Sequence, residues 1–481
     1  MLAALFLLLT DALPGQPQLE AAFRDSIATS CPKSRIAIDR DLTRACEKYA
    51  AAVAQGKAQV SGSAASFYAS LESSEPAPVA GVARVSPASH ADRALSELFP
   101  RTCKFNRVGV AANIAGGEAI VCTLTVEHET DLAHIPGAVE EFDTVQISGT
   151  LAPGLSRPRL FVTRPTGEVE ELGMVASGGQ FATRVSLRET GEHSLEVLAD
   201  GPGGPLVVAL RRVFAGVKPP ESPPPEPQAG RGLAGVEAAI GRLRASRGLP
   251  RLARDPELDA VAQGHSAEMA RTVTFAHVLP GDGSMSDRLA RRGYAYRSAG
   301  ENIGLADDVA TAHEAIVASP AHLANLLDPR HRRLGLGEVR GPIEGGAEGV
   351  YLTEVLAAPV VASADPARDA MQLVDAERKK RGLPQLRRDN ALDEIARLEV
   401  GEAAHAGELK LSGATAARAL DKVPELQGAV AEIYIGGGPD VVANSKNIAE
   451  ARWTRLGVGA VYASSKRFGA GRLWVVLLYG R

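Results

Sequence analysis

Five of the ten histidines fall between His265 and His331, and the same stretch carries Glu301, Asn302, Asn325 and Arg288. An imidazole beside a carboxylate is held in one tautomer and can work as an acid–base pair. Two imidazoles with a carboxylate can also hold zinc with one position open. His277, in Phe275-Ala-His277, and Glu301, in Gly300-Glu-Asn-Ile303, are the residues for such a pair. His322, in Ser319-Pro-Ala-His322, supplies a second imidazole. The competing reading is structural: a buried His277–Glu301 pair bridges two elements, while Asn302 and Asn325 bond loop backbone. Arg288 reads as a loop anchor through forked hydrogen bonds rather than as a site for a substrate anion. His265, His313 and His331 read as helix-surface or rim residues.

Other chemistry finds little support. The sequence has neither a Gly-x-Ser-x-Gly elbow nor a His-Glu-x-x-His helix. Gly230-Arg-Gly-Leu-Ala-Gly235 spells a nucleotide-binding pattern, but it follows a proline-rich spacer instead of a strand. The net charge of −4 excludes a broad basic footprint for nucleic acid, and 4 % aromatics leaves few stacking platforms for bases or sugars.

The elements that position these residues are spread over 481 residues, enough for about three or four domains. Residues 1–20 form a signal-like segment: the apolar run from Met1 to Leu9 is too short for a membrane span but suits a secretory leader. Cys31, Cys46, Cys103 and Cys122 all precede the middle of the chain, and no C-x-x-C occurs, so two disulfides in an oxidising compartment are expected. Four cysteines allow three pairings. The short spans favour Cys31–Cys46 and Cys103–Cys122. Residues 140–217 alternate as short strands between turn residues and read as an all-β, immunoglobulin-like sandwich. Residues 218–232 are a proline-rich linker.

An internal repeat follows. Arg247-Gly-Leu-Pro-Arg-Leu-Ala-Arg-Asp-Pro-Glu-Leu-Asp259 and Arg381-Gly-Leu-Pro-Gln-Leu-Arg-Arg-Asp-Asn-Ala-Leu-Asp393 agree at nine of thirteen positions without a gap. Asn325 to Gly337 likewise aligns with Asn447 to Gly459. A fainter copy with the four cysteines spans 21–130. Helices leading into antiparallel strands imply a layered α+β unit.

Residues 233–358 carry an ordered motif set: Phe275-Ala-His277, Asp287-Arg288, Gly293-Tyr294, Gly300-Glu-Asn-Ile303, Ser319-Pro-Ala-His322, Asn325-Leu-Leu, Leu334-Gly-Leu-Gly337 and Tyr351-Leu-Thr-Glu354. In this order they resemble the CAP superfamily (cysteine-rich secretory, antigen-5 and pathogenesis-related proteins), of bacterial type. The resemblance implies a multi-domain α+β chain: CAP α-β-α sandwich units plus the β-sandwich. It implies a cleft with two histidines and two acids, where some members bind a divalent metal. His277 matches the first histidine and Glu301 one acid. Tyr351 stands in place of the second histidine and Ser319 in place of the second acid, which puts a four-ligand site in doubt. The cleft expected is therefore His277, Glu301, Asn302, His322, Tyr351 and Arg288. Tyr351 lines an open groove and His322 sits at its rim. Any zinc at His277 and Glu301 is weakly bound. In the degenerate copy, 365–481, Asn444 replaces His322, Trp453 replaces His331, and Glu432 takes the place of the acid. The function implied is a secreted or envelope-associated protein that binds an extracellular ligand through this cleft. The alternative is a metal-assisted or acid–base hydrolase.

Overall fold

The computed structural model describes residues 15–98, 103–224, 232–344, 346–360, 362–465 and 467–481. Most of the signal-like segment and the middle of the proline-rich linker lie outside the described residues. Among the described residues, no helix is long and apolar enough to cross a membrane.

Three four-stranded sheets share one strand order. In each, a two-residue strand runs parallel to the first strand of an antiparallel hairpin, and the hairpin's second strand pairs on its far side with a strand from earlier in the chain. In that order the first unit uses Ala37–Ile38, Arg107–Ala115, Glu118–Val126 and Val79–Val85. The second uses Ala253–Arg254, Arg333–Pro342, Glu348–Pro359 and Tyr296–Ala306. The third uses Arg387–Arg388, Arg455–Ser465, Gly469–Gly480 and Ala429–Gly436.

The same local chemistry starts the main helix of each unit. Asp39, Asp255 and Asp389 follow the two-residue strands and accept hydrogen bonds from free N–H groups of the first turn. The helices that result are Arg40–Ala54, Pro256–Thr272 and Asn390–Ala406. Each lies on its sheet at backbone contact. A Cβ at Gly109, Gly335 or Gly457 would fall 2.2 Å from the carbonyl carbon of Leu42, Leu258 or Leu392. The next helix residue accepts a strand N–H: Thr43 from Val110 at 3.4 Å, Asp259 from Leu336 at 2.8 Å, Asp393 from Val458 at 2.7 Å.

Helices cover both faces of each sheet. In the second unit, Val236 and Ile240 of Gly232–Ser246 and Ala312 and Ile316 of Val309–Ala318 pack with Leu334, Leu336 and Leu352. Leu258, Val261 and Leu289 pack on the other face with Val355 and Ala357. Buried Arg244 ties the layers together by donating to the carbonyls of Pro250, Leu326, Asp328 and His331; Arg378 of the third unit does the same to Pro384, Ile448, Glu450 and Trp453.

Between the first two units, residues 130–215 form two sheets around one core. Val145, Ile147, Phe181 and Val185 come from one sheet, and Leu160, Val162, Leu195 and Val197 from the other. The region starts at Thr130, earlier than the alternation indicates, because Thr130–Leu132 and Ala138–Val139 are too short to show a period.

The cysteines pair as Cys31–Cys103 and Cys46–Cys122, with Cα separations of 5.5 and 5.4 Å. This corrects the local pairing expected from the short spans. Cys31 packs on one face of the first sheet with Leu95, Val108 and Val121, whereas Cys46 packs on the other with Cys122 and Leu124. The sheet stands between Cys31 and Cys46. Unreduced tryptic digests should therefore yield Cys31–Cys103 and Cys46–Cys122 peptides; recovery of a Cys31–Cys46 peptide contradicts this fold. Replacing Cys46 and Cys122 together by alanine should cost roughly 2–5 kcal/mol, read by denaturant melting.

Candidate functional site

Four elements of the second unit bring the candidate residues together. Helix Met285–Arg291 begins in a capping box between Ser284 and Asp287 and carries Arg288. Strand Tyr296–Ala306 carries Glu301 and Asn302 to opposite faces of the sheet. Ser319 caps helix Pro320–Leu327, which carries His322. His277 lies in the segment after helix Pro256–Thr272.

His277 Nδ1 lies 3.0 Å from Glu301 Oε1. The other carboxylate oxygen takes a short hydrogen bond from the Arg288 guanidinium. Arg288 also donates to Asp282 at 3.0 Å and to the Gly283 carbonyl at 2.7 Å. Asp282 in turn holds His265 Nδ1 at 2.7 Å, and His265 Nε2 lies 3.9 Å from Glu301. The His277 and His322 rings stand 6.0 Å apart, tilted by 48°.

Residues 238–352 match the family model of the cysteine-rich secretory protein family, CAP. This unit is a CAP domain. No curated protein matches the chain. Among solved structures, an outer surface protein of Borrelia burgdorferi shares 17 % identity, with 26 % of this chain and 92 % of that one covered and a TM-score of 0.23. An extracellular SCP-domain protein of Bacillus anthracis shares 17 % identity, with coverages of 48 % and 89 % and a TM-score of 0.23. A cysteine-rich secretory protein of Staphylococcus aureus shares 12 %, with coverages of 48 % and 89 % and a TM-score of 0.21.

The charges of the CAP domain follow from burial and pairing. Burial alone would raise the Glu301 carboxyl, but the His277 hydrogen bond and the Arg288 charge outweigh it and hold Glu301 below the usual range. Burial lowers His265. Burial, with His277 beside it, pushes His322 down to about 3. At neutral pH the centre is thus an anionic Glu301 clamped to a cationic Arg288, facing a neutral His322.

The structure corrects several expectations. His322 is half-buried and stands against His277, with ring centroids 6.0 Å apart. Tyr351 lines no groove: it is 1 % exposed, packs with Met269, Leu279 and Ile303, and donates to the Pro342 carbonyl at 2.8 Å. Asn302 is fully buried on the far side of the strand, donating to Glu354 at 3.2 Å and to the His322 carbonyl at 3.3 Å. Asn325 donates to Asn302 at 3.0 Å. His265, His313 and His331 are interior residues: His265 pairs with Asp282, His313 with Glu354 at 2.7 Å, and His331 with the Asn325 carbonyl at 3.0 Å. Each lies on a helix or turn whose polar partner belongs to another element, which local spacing does not reveal.

Glu432 does not stand in for the acid. Leu336 and Asn302 flank Glu354 in the CAP domain, as Val458 and Glu432 flank Leu477 in the third unit. Glu432 therefore occupies the place of Asn302, and Ala431 that of Glu301. Asn447 and Ser445 bond the Glu432 carboxylate there, and Trp453 Nε1 donates to Asn447.

Glu301 is not free to ligate a metal: both its oxygens are engaged, one by His277 and one by a guanidinium that repels a cation. His277 Nδ1 is held by the same carboxylate, so the uncommitted nitrogens are His277 Nε2 and those of the His322 ring. Among the described residues no group of three His, Cys, Asp or Glu side chains gathers to hold an ion.

Glu301→Gln should melt lower than wild type, since Arg288 loses its buried anion, a cost of about 3–5 kcal/mol. The folded carboxyl titrates lower than the unfolded one, so its contribution is full above about pH 4.5 and is lost as pH falls through the folded value. Paired melting curves from pH 7 to pH 3 should show the gap between the two proteins closing on the acid side.

Proposed function

We propose that this chain works outside the cytoplasm and binds a neutral, hydroxyl- or amide-bearing ligand in the His277–His322 cleft of its CAP domain. The first and third units are diverged copies of the same architecture, and residues 130–215 are an immunoglobulin-like spacer. One observation carries the reading. His277 Nε2 and the His322 ring have no hydrogen-bond partner among the described residues, whereas the acids and Arg288 around them are engaged. With Nδ1 directed to Glu301, His277 presents Nε2 to the cleft as a hydrogen-bonding atom. Neutral His322 adds one donor and one acceptor. Arg288 is committed to Asp282 and Glu301 and is not offered to an anionic ligand. The two disulfides support an oxidising compartment.

A second reading has its own support. Glu301 orients His277 as a carboxylate orients a general base, so a water on Nε2 would be deprotonated. Ser319 is not a nucleophile for it, since its hydroxyl donates to Glu196 at 2.5 Å.

Titration calorimetry of the full chain with soluble N-acetylglucosamine oligosaccharides, and with phospholipid vesicles for contrast, tests the proposal. Oligosaccharide binding should weaken about tenfold in a His277→Ala protein that remains folded at the assay temperature, the worth of one good hydrogen bond. Binding indifferent to His277, or binding to vesicles alone, overturns it. Release of shortened oligosaccharide on incubation would establish the hydrolytic reading. Zinc should bind more weakly than micromolar in the same instrument, because Glu301 is committed and two imidazoles are left to hold it; tight stoichiometric zinc would overturn this expectation.

A further inference from the structure

The β-sandwich reaches the CAP domain at the two segments that carry the imidazoles. Glu196 lies in strand Gly191–Gly201, where alternation turns Leu195 and Val197 into the sandwich core and Glu196 outward. An outward mid-strand glutamate ordinarily meets water, yet Glu196 is 0 % exposed. Its hydrogen-bond partners come from the CAP domain. Ser319 Oγ donates to Oε1 at 2.5 Å and the Ala321 N–H donates to Oε2 at 2.7 Å. Ser319 is also the cap that accepts the His322 N–H at 3.4 Å. Burial pushes the carboxyl up to about 7, against the pull of these two donors. A carboxyl buried without a cation is costly unless the groups that hold it are fixed.

The turn of the same strand reaches His277. The Val278 N–H donates to the Gly203 carbonyl at 2.9 Å. Gly204, at φ +93°, approaches so closely that a Cβ there would meet the His277 Cβ at 3.1 Å. One strand of the sandwich thus grips the His322 turn at its middle and the His277 segment at its end.

We propose that the cleft is a two-domain site in which Glu196 is a positioning residue: by holding the Ser319–Ala321 turn, it sets His322 against His277. The proposal deepens the ligand-binding reading of the same cleft, but its test needs no ligand.

The test uses the full chain with ring-labelled histidine and reads the nuclear Overhauser contact between the His277 and His322 rings. Wild type should show the contact. Glu196→Ala should lose it, and Glu196→Gln, whose carbonyl still accepts one of the two donors, should retain it. A folded Glu196→Ala protein that keeps the contact overturns the proposal. So does a fall in melting temperature with the contact intact, which would leave Glu196 a purely structural role. Where Glu196→Ala does not fold, Ser319→Ala removes one donor from the opposite side; it should weaken the contact, and an undiminished contact is equally fatal. Oligosaccharide titration of the same proteins separates the two ideas. No binding by wild type would overturn the ligand reading and leave the ring contact standing. Loss of ring contact with unchanged oligosaccharide affinity would show that the sandwich sets a geometry the ligand does not use, and would remove Glu196 from the site.

Discussion

The helix Pro256–Thr272 and the strand Arg333–Pro342 touch backbone to backbone, with room for no side chain between Gly335 and Leu258. Contact at this range leaves the helix one rotational setting, because close-packed interiors do not absorb added methylenes. That setting turns Leu258, Val261 and Ala262 to the sheet. It also brings His265 to Asp282 and to within 3.9 Å of Glu301. The position of the site is thus inherited from a glycine on a neighbouring strand. Gly109 and Gly457 impose the same approach in the other two units. One packing rule thus serves units with different residues around it, since a fold does not by itself carry a chemistry.

What separates the units is how each disposes of buried charge. In the CAP domain, Arg288 lies between Asp282 and Glu301, all three largely buried. Any one of them left alone would destabilise the domain severely, so the three stabilise it only as a set. The guanidinium that keeps Glu301 anionic also denies it to a metal, and the free chemistry passes to the imidazoles. The third unit places alanine where Glu301 would be. Its carboxylate on that strand is Glu432, satisfied by Ser445 and Asn447. In the first unit, Cys46–Cys122 joins helix to central strand. The CAP domain joins its helix to the equivalent strand position, Thr353, from Ser266, one turn further along the helix, by a 2.8 Å hydrogen bond.

Much of this was legible in the sequence. The Gly-Leu-Pro turns, the aspartates that follow them and the Leu-Gly-x-Gly strands carry geometric demands that only a few residue types meet, so motif and structure agree. His277 and Glu301 were legible for the same reason. The buried histidines were not. His265, His313 and His331 look like surface residues because the acid or carbonyl that satisfies each lies on another element. Tyr351 was misplaced because the strand register decides which face it meets, and register depends on pairing partners that a single strand does not reveal. The disulfides were misassigned on short sequence spans, whereas the deciding fact is which face of the sheet each cysteine occupies.

Glu196 shows the same limit at the scale of domains. His193-Ser-Leu-Glu-Val-Leu198 has the alternation of a half-exposed strand, and nothing in it distinguishes a face that meets water from a face that meets another domain. The composition of the contact then says what it is for. A carboxyl held only by a hydroxyl and one backbone N–H gains about 1–3 kcal/mol from each bond and loses much of that in desolvation. Such a contact does little to hold two domains together. It does fix their angle, because the Ser319 hydroxyl and the Ala321 N–H converge on one point, and a rotation of the sandwich would strand a buried acid. An interface built to be strong would have used apolar surface there. One built around Glu196 gives up strength for orientation, and the elements it orients are the two that carry the imidazoles.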